Sequence, residues 1–196
     1  MPDQQTQISL KALTPQSTVR LILSGVLDRY PRLKIMLAHS GGALPLLSSR
    51  LASCVAHDPH LSSRLQHDVR YYLGKLYYDA VSYGPEELLA ACAIVGRAER
   101  FRRCGQGIGG GPRSLGGASE EAKKGAKRFH FGTDHPFFPP LGEAKENRET
   151  SGEQMPWLSV TENIVSLNAV PGWEQEERRG IMSGNAERLL GLNLQM

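Results

Sequence analysis

The junction Lys34-Ile35-Met36-Leu37-Ala38-His39-Ser40-Gly41-Gly42 sets the architecture of this chain. A short apolar run closed by a glycine turn suits a strand buried on both faces, as in a parallel sheet. The residues on either side carry a different period. Upstream, Val19, Leu21–Leu23 and Val26–Leu27 predict a helix over 17–29. Tyr30-Pro31 ends it, because the residue before proline is pushed out of the α region. Downstream, Leu44, Leu47, Leu51 and Val55 predict a helix over 44–56.

The same cycle then recurs. A helix around 61–72 leads to the β-rich run Leu76–Val81, and Pro85 opens a helix over 86–95. Phe129–Asp134 is a third strand, followed by a proline-rich loop and helices near 156–169, 174–182 and 186–191. Strands alternating with helices of this length predict an α/β fold with a parallel sheet. Three strands are too few to close a barrel and leave an edge exposed. The segment 97–128 interrupts the cycle. It holds eight glycines and almost no large apolar residue, so it is expected to be a disordered insertion within a single domain spanning 1–196.

Composition narrows the function classes. No run approaches the roughly 20 apolar residues that cross a bilayer, and Met1–Leu10 has no apolar signal core, so no membrane role is expected. Three scattered cysteines with no CxxC pair suit a reducing, cytoplasmic setting. The net charge of +3 misleads as an average, since 97–128 carries nine basic and three acidic residues and the rest sums to −3. The basic segment lacks interleaved aromatics, so no nucleic-acid partner is expected.

Two strand ends carry chemistry. His39 closes the first strand, and Asp134, followed by His135, closes the third. Functional residues of (β/α)₈ folds sit at the C-terminal ends of strands, so the two belong to one candidate site. Alternation puts His39 on the face of Ile35 and Leu37, and Asp134 on that of His130 and Gly132. A hydrogen-bonded structural histidine is the alternative. His135 either lines the same site or packs the Pro136-Phe137-Phe138 loop. His57 and His60 flank a proline and read as a solvated turn, while His67 and His130 lack partners at ligand spacing. Gly105-x-Gly-x-Gly-Gly-Gly follows no strand and opens no apolar helix, so it is not read as a phosphate loop.

The run Gly25–Pro45 with Arg50 beyond it, Tyr77-Tyr78-Asp79, Phe131-Gly132-Thr133-Asp134-His135-Pro136-Phe137 and Asn185–Leu192 occur in this order. Together they resemble strands six to eight and the closing helix of the amidohydrolase-related (amidohydrolase 2) decarboxylases, the branch that includes aminocarboxymuconate-semialdehyde and 6-methylsalicylate decarboxylases. The resemblance implies a partial (β/α)₈ TIM-type barrel. It implies non-oxidative loss of CO₂ from a small unsaturated or aromatic carboxylic acid, and a homodimer. It also implies a divalent metal, zinc by ligand chemistry, with Asp134 as a metal ligand. His39 would be the catalytic proton-handling residue, and Arg50 and His135 would face the substrate. The chain departs from the family pattern in having no His-x-His pair anywhere. It is therefore expected to be a C-terminal half with an incomplete metal site, inactive by itself. The alternatives are a non-catalytic half-barrel or interaction protein, and a metal-dependent hydrolase of the same superfamily.

Overall fold

The computed structural model describes residues 4–102, 118–136 and 157–192, with side chains from residue 14 on. Helices α1 (Gln4–Leu23) and α2 (Val26–Arg29) precede β1 (Met36–Leu37). Then α3 (Leu44–Ala56), α4 (Pro59–Arg64) and α5 (Val69–Leu73) lead to β2 (Tyr77–Asp79). Next, α6 (Pro85–Gly96) and α7 (Ala118–Ala126) lead to β3 (Phe129–His130). Three helices follow: α8 (Leu158–Ala169), α9 (Gln175–Arg179) and α10 (Asn185–Leu190).

The three strands form one parallel sheet in the order β1-β2-β3, as the alternation of strand and helix predicts. Leu37 registers with Tyr78 and Tyr78 with Phe129, so these side chains share one face. Their burial is nearly complete, and the Tyr78 and Phe129 rings stack at 4.9 Å. Leu44, Leu73, Leu88, Leu167 and Ile181 join them in one continuous core. Met36, one residue out of phase, is half exposed. Among the described residues β1 is an edge strand, with β2 on its one paired side.

Several elements differ from their sequence-based bounds for local reasons. The helix expected over 17–29 is broken at Gly25, whose φ of 71° lies in the left-handed region; α2 restarts with the Gly25 carbonyl accepting from Asp28 and Arg29. The helix expected over 61–72 is two short ones. Asp58 caps α4 through the amides of His60 and Leu61, and Asp68 caps α5 through that of Arg70. The strands are shorter than their apolar runs, and after β1 the chain turns sharply at His39 and Ser40. His39 consequently leaves the β1 face on which alternation placed it, with φ of 56°.

The largest correction concerns 97–128. Its described ends are ordered: a tight turn covers Arg97–Phe101, and α7 packs hard against α6. Ala122 and Ala126 are fully buried, and Glu121, itself nearly buried, is bridged by Arg100 at 2.6 Å. The expectation that this segment buries nothing overlooked that alanine and glycine let two helix backbones touch without large side chains. Residues 103–117, which hold most of its glycines, lie outside the described residues, as does Phe137.

Two buried tyrosines tie the layers together and make stability pH-dependent. The Tyr78 hydroxyl donates to the Leu73 carbonyl at 2.8 Å, and that of Tyr72 donates to the Asp28 carboxylate at 2.6 Å, joining α5 to α2. Burial raises both hydroxyls well above the ordinary tyrosine value, and for Tyr72 the Asp28 contact adds to it. A raised folded-state value contributes stability that is complete below about pH 10, where unfolded tyrosine titrates, and is lost as pH rises beyond it. Urea unfolding between about pH 8 and 11 should show stability falling at the alkaline end, less steeply in the Tyr72→Phe/Tyr78→Phe double variant. An identical alkaline slope in both proteins would contradict this.

Candidate active site at the strand ends

The C-terminal ends of all three strands meet in one polar cluster. His39 Nδ1 lies 3.4 Å from Asp134 Oδ1, and the Tyr83 hydroxyl donates to Asp134 Oδ2 at 3.0 Å. The Asp134 side chain is 10% exposed and that of His39 27%, so the carboxylate is sheltered and the imidazole reachable. Burial first, and the Asp134 carboxylate second, hold the Tyr83 hydroxyl well above the ordinary value. It therefore stays protonated and serves as a donor.

The backbone around this cluster is strained in a consistent way. Among the described residues, the non-glycine positions with positive φ are His39 (56°), Ser40 (53°), Tyr83 (58°) and Asp134 (56°). Each follows one of the three strands. Such conformations cost on the order of 1–3 kcal/mol apiece and persist only where surrounding contacts over-determine them. Those contacts are present. The Asp79 carboxylate accepts from the amides of His39 and Ser40 at 2.9 Å each and from Val81 at 3.1 Å. On the next loop, Asn163 of α8 accepts from the amides of Ser82 and Tyr83, while its own amide donates to the Ser159 carbonyl at 2.8 Å.

Of the sequence-derived candidates, the structure brings His39 and Asp134 together. His135 is exposed at the rim; its amide donates to Thr133 Oγ1, and its ring meets Trp157 edge-to-face at 4.4 Å. Arg50 is exposed on α3, nearly two turns past the helix start, and makes no described hydrogen bond or ion pair with the cluster. Sequence reasoning missed Asp79, Tyr83 and Asn163. Asp79 ends its strand as His39 and Asp134 end theirs, and the same strand-end rule would have found it. Asn163 sits on a stripe with Ser159 and Ser166 that is polar yet buried, an anomaly readable from helical spacing. Tyr83, in a Ser-Tyr-Gly-Pro turn, carries no such signal.

A groove of about 390 Å³ opens beside the cluster, lined in part by His39, Ser40, Pro45, Leu46, Val81 and Ser82. A larger one of about 470 Å³, between α7 and the segment 175–188, shares no residue with it. Its mixed Lys, Arg and Glu lining lies away from the strained turns, whereas the smaller groove adjoins them. His130 is buried behind the cluster; burial, then Arg188, holds it below the ordinary histidine value, and neither ring nitrogen has a described partner. Among the described residues, no three His, Cys, Asp or Glu side chains are grouped as metal ligands. Asp134 offers one carboxylate and three or four ligands are needed, so the described residues alone do not fit a resident metal.

Three parallel strands with flanking helices and a polar site at their C-terminal ends define part of a (β/α)₈ barrel. No family model matches the chain. It is similar to IDCase of Metarhizium anisopliae, solved in apo form, at 32% identity and a TM-score of 0.67, over 93% of this chain and 40% of that one. It is 36% identical to the decarboxylase yanB of Aspergillus niger over 84 residues, 43% of this chain and 22% of that protein. The dihydroxybenzoic acid decarboxylase of Polaromonas sp., solved with bound manganese and the inhibitor 2-nitroresorcinol, shares the fold at 20% identity and a TM-score of 0.56, over 92% of this chain and 40% of that one. The relatives named for an activity are thus decarboxylases, and the chain matches part of their barrel. It spans 40% or less of the length of each of these relatives.

Proposed function

We propose that the chain supplies the strand-end part of the active site of a metal-dependent, non-oxidative decarboxylase acting on a small aromatic or unsaturated carboxylic acid in the cytoplasm. The observation that carries this reading is the His39–Asp134 contact at the C-terminal ends of two barrel strands. Loss of CO₂ leaves a carbon that must take up one proton in its place. His39 is the group to deliver it. Asp134 faces Nδ1, which fixes the ring orientation and leaves Nε2 as the nitrogen that exchanges a proton with substrate. Tyr83 in turn holds the second oxygen of Asp134.

The divalent metal belongs to this reading through the relatives, one of which is solved with manganese; zinc is our specific assignment from ligand chemistry. Asp134 would be one of its ligands. Since a single carboxylate does not hold such an ion, the 196 residues by themselves are proposed to be inactive. The test is a chimera in which this chain replaces the matching part of the Metarhizium IDCase. Restored CO₂ release from that enzyme's own substrate supports the reading. A folded chimera that loads metal and releases no CO₂ overturns it.

A further inference from the structure

We infer that Asp79 is the positioning residue for His39, the carboxylate that sets where the proton-handling imidazole stands; this rests on the decarboxylase reading for its chemical meaning, though not for its test. Asp79 is the last residue of β2, between the two strand ends that carry His39 and Asp134. Toward β1 it acts by hydrogen bonding. Oδ2 accepts from the His39 amide and Oδ1 from the Ser40 amide, each at 2.9 Å, and the Asp79 carbonyl accepts from Ser40 Oγ at 3.2 Å. Those are the two residues forced into the left-handed region, and the bonds hold them there. The same turn is pressed onto β2 from its other end, where a Cβ on Gly41 would lie 2.9 Å from the Tyr78 ring.

Toward β3 it acts by packing. A Cβ on Gly132 would stand 3.2 Å from the Asp79 Cβ and 2.8 Å from Val81 Cγ2, so glycine lets the strand pass on its way to Asp134. One side chain therefore sets the height of both functional strand ends. The carboxylate chemistry matters in this role. Three backbone N–H groups, from His39, Ser40 and Val81, converge on its two oxygens. An asparagine would offer one oxygen and turn its own N–H₂ toward a donor. A glutamate would push an extra methylene into the space that Gly132 keeps clear.

The experiment is solution NMR on the 196-residue chain. In the unsubstituted chain, couplings through the hydrogen bonds should connect the Asp79 carboxyl carbon to the amide nitrogens of His39 and Ser40. In Asp79→Asn those amide protons should move upfield and exchange with solvent faster by about tenfold or more. The Overhauser contact between the His39 ring and the Asp134 methylene should weaken, while signals of Phe129 and Trp173 in the core hold. Asp68→Asn, which removes a helix-capping carboxylate on another element, should leave the His39 and Ser40 amides in place. Couplings absent from the parent chain overturn the assignment even if the Asn variant does not fold. So do unmoved amides in Asp79→Asn, or equal movement in Asp68→Asn. None of these signals depends on turnover, so an inactive chimera would sink the decarboxylase reading and leave this one standing.

Discussion

Replacing Gly125 by alanine should destabilise the chain by about 3 kcal/mol or more, although alanine is the better helix former by up to about 1 kcal/mol. The sign is decided by where α6 and α7 cross. A Cβ on Gly125 would lie 1.8 Å from the Cys92 carbonyl oxygen, and one on Gly96 would lie 1.7 Å from that of Glu121. Both obstacles are backbone, which cannot rotate aside, so the helices must separate. Separation opens the contacts of Cys92, Val95, Ala122 and Ala126, all of which are buried. For a chain of this size the loss corresponds to a midpoint lower by roughly 10 °C. Gly184→Ala is the control: its Cβ would meet nothing closer than 3.5 Å, and its backbone is helical, so stability should hold or rise slightly. Equal thermal midpoints for Gly125→Ala and the parent would show that the two helices do not touch as described.

The second large effect is chemical. In the chimera with the Metarhizium enzyme, His39→Gln should lower the rate of CO₂ release by roughly 10²–10⁴-fold, the range that a positioned proton donor contributes. Glutamine fills similar space and still hydrogen-bonds, so folding and metal loading should be unchanged while proton delivery fails. The loss should fall on kcat rather than on substrate affinity, because the proton moves only in the reacting complex. A variant that retains most of the parent's kcat would assign His39 to structure and require another proton source.

The core of this architecture was readable before any coordinates. Short apolar runs set between segments of helical spacing suit buried strands, and that alternation predicts a parallel sheet. His39 and Asp134 were legible for a related reason, since a polar residue directly after such a run stands at a strand end. Three features were not legible. The strand-end position of Asp79 is readable, but its partners are backbone amides forty residues away in sequence, and no local pattern announces that contact. Tyr83, which donates to Asp134, stands in a turn whose amides bond to Asn163 eighty residues on, a long-range contact of the same kind. The packing of α7 was hidden because glycine reads as a breaker when taken singly. Set against Gly96, the same residue becomes the point where two helices make contact. His39 itself shows the limit of alternation: period-two reasoning fails at the first residue that leaves β geometry.

The strand-end cluster is proposed as one portion of a metal site that does not hold a metal by itself. Elemental analysis tests this directly when made on the purified 196-residue chain, on its Asp134→Ala variant and on the chimera with the Metarhizium enzyme. Background metal is expected in the chain and its variant, and near-equimolar metal in the chimera. Near-equimolar metal in the chain alone, lost in Asp134→Ala, would contradict this proposal and mean that the chain's own residues or a second copy complete the site.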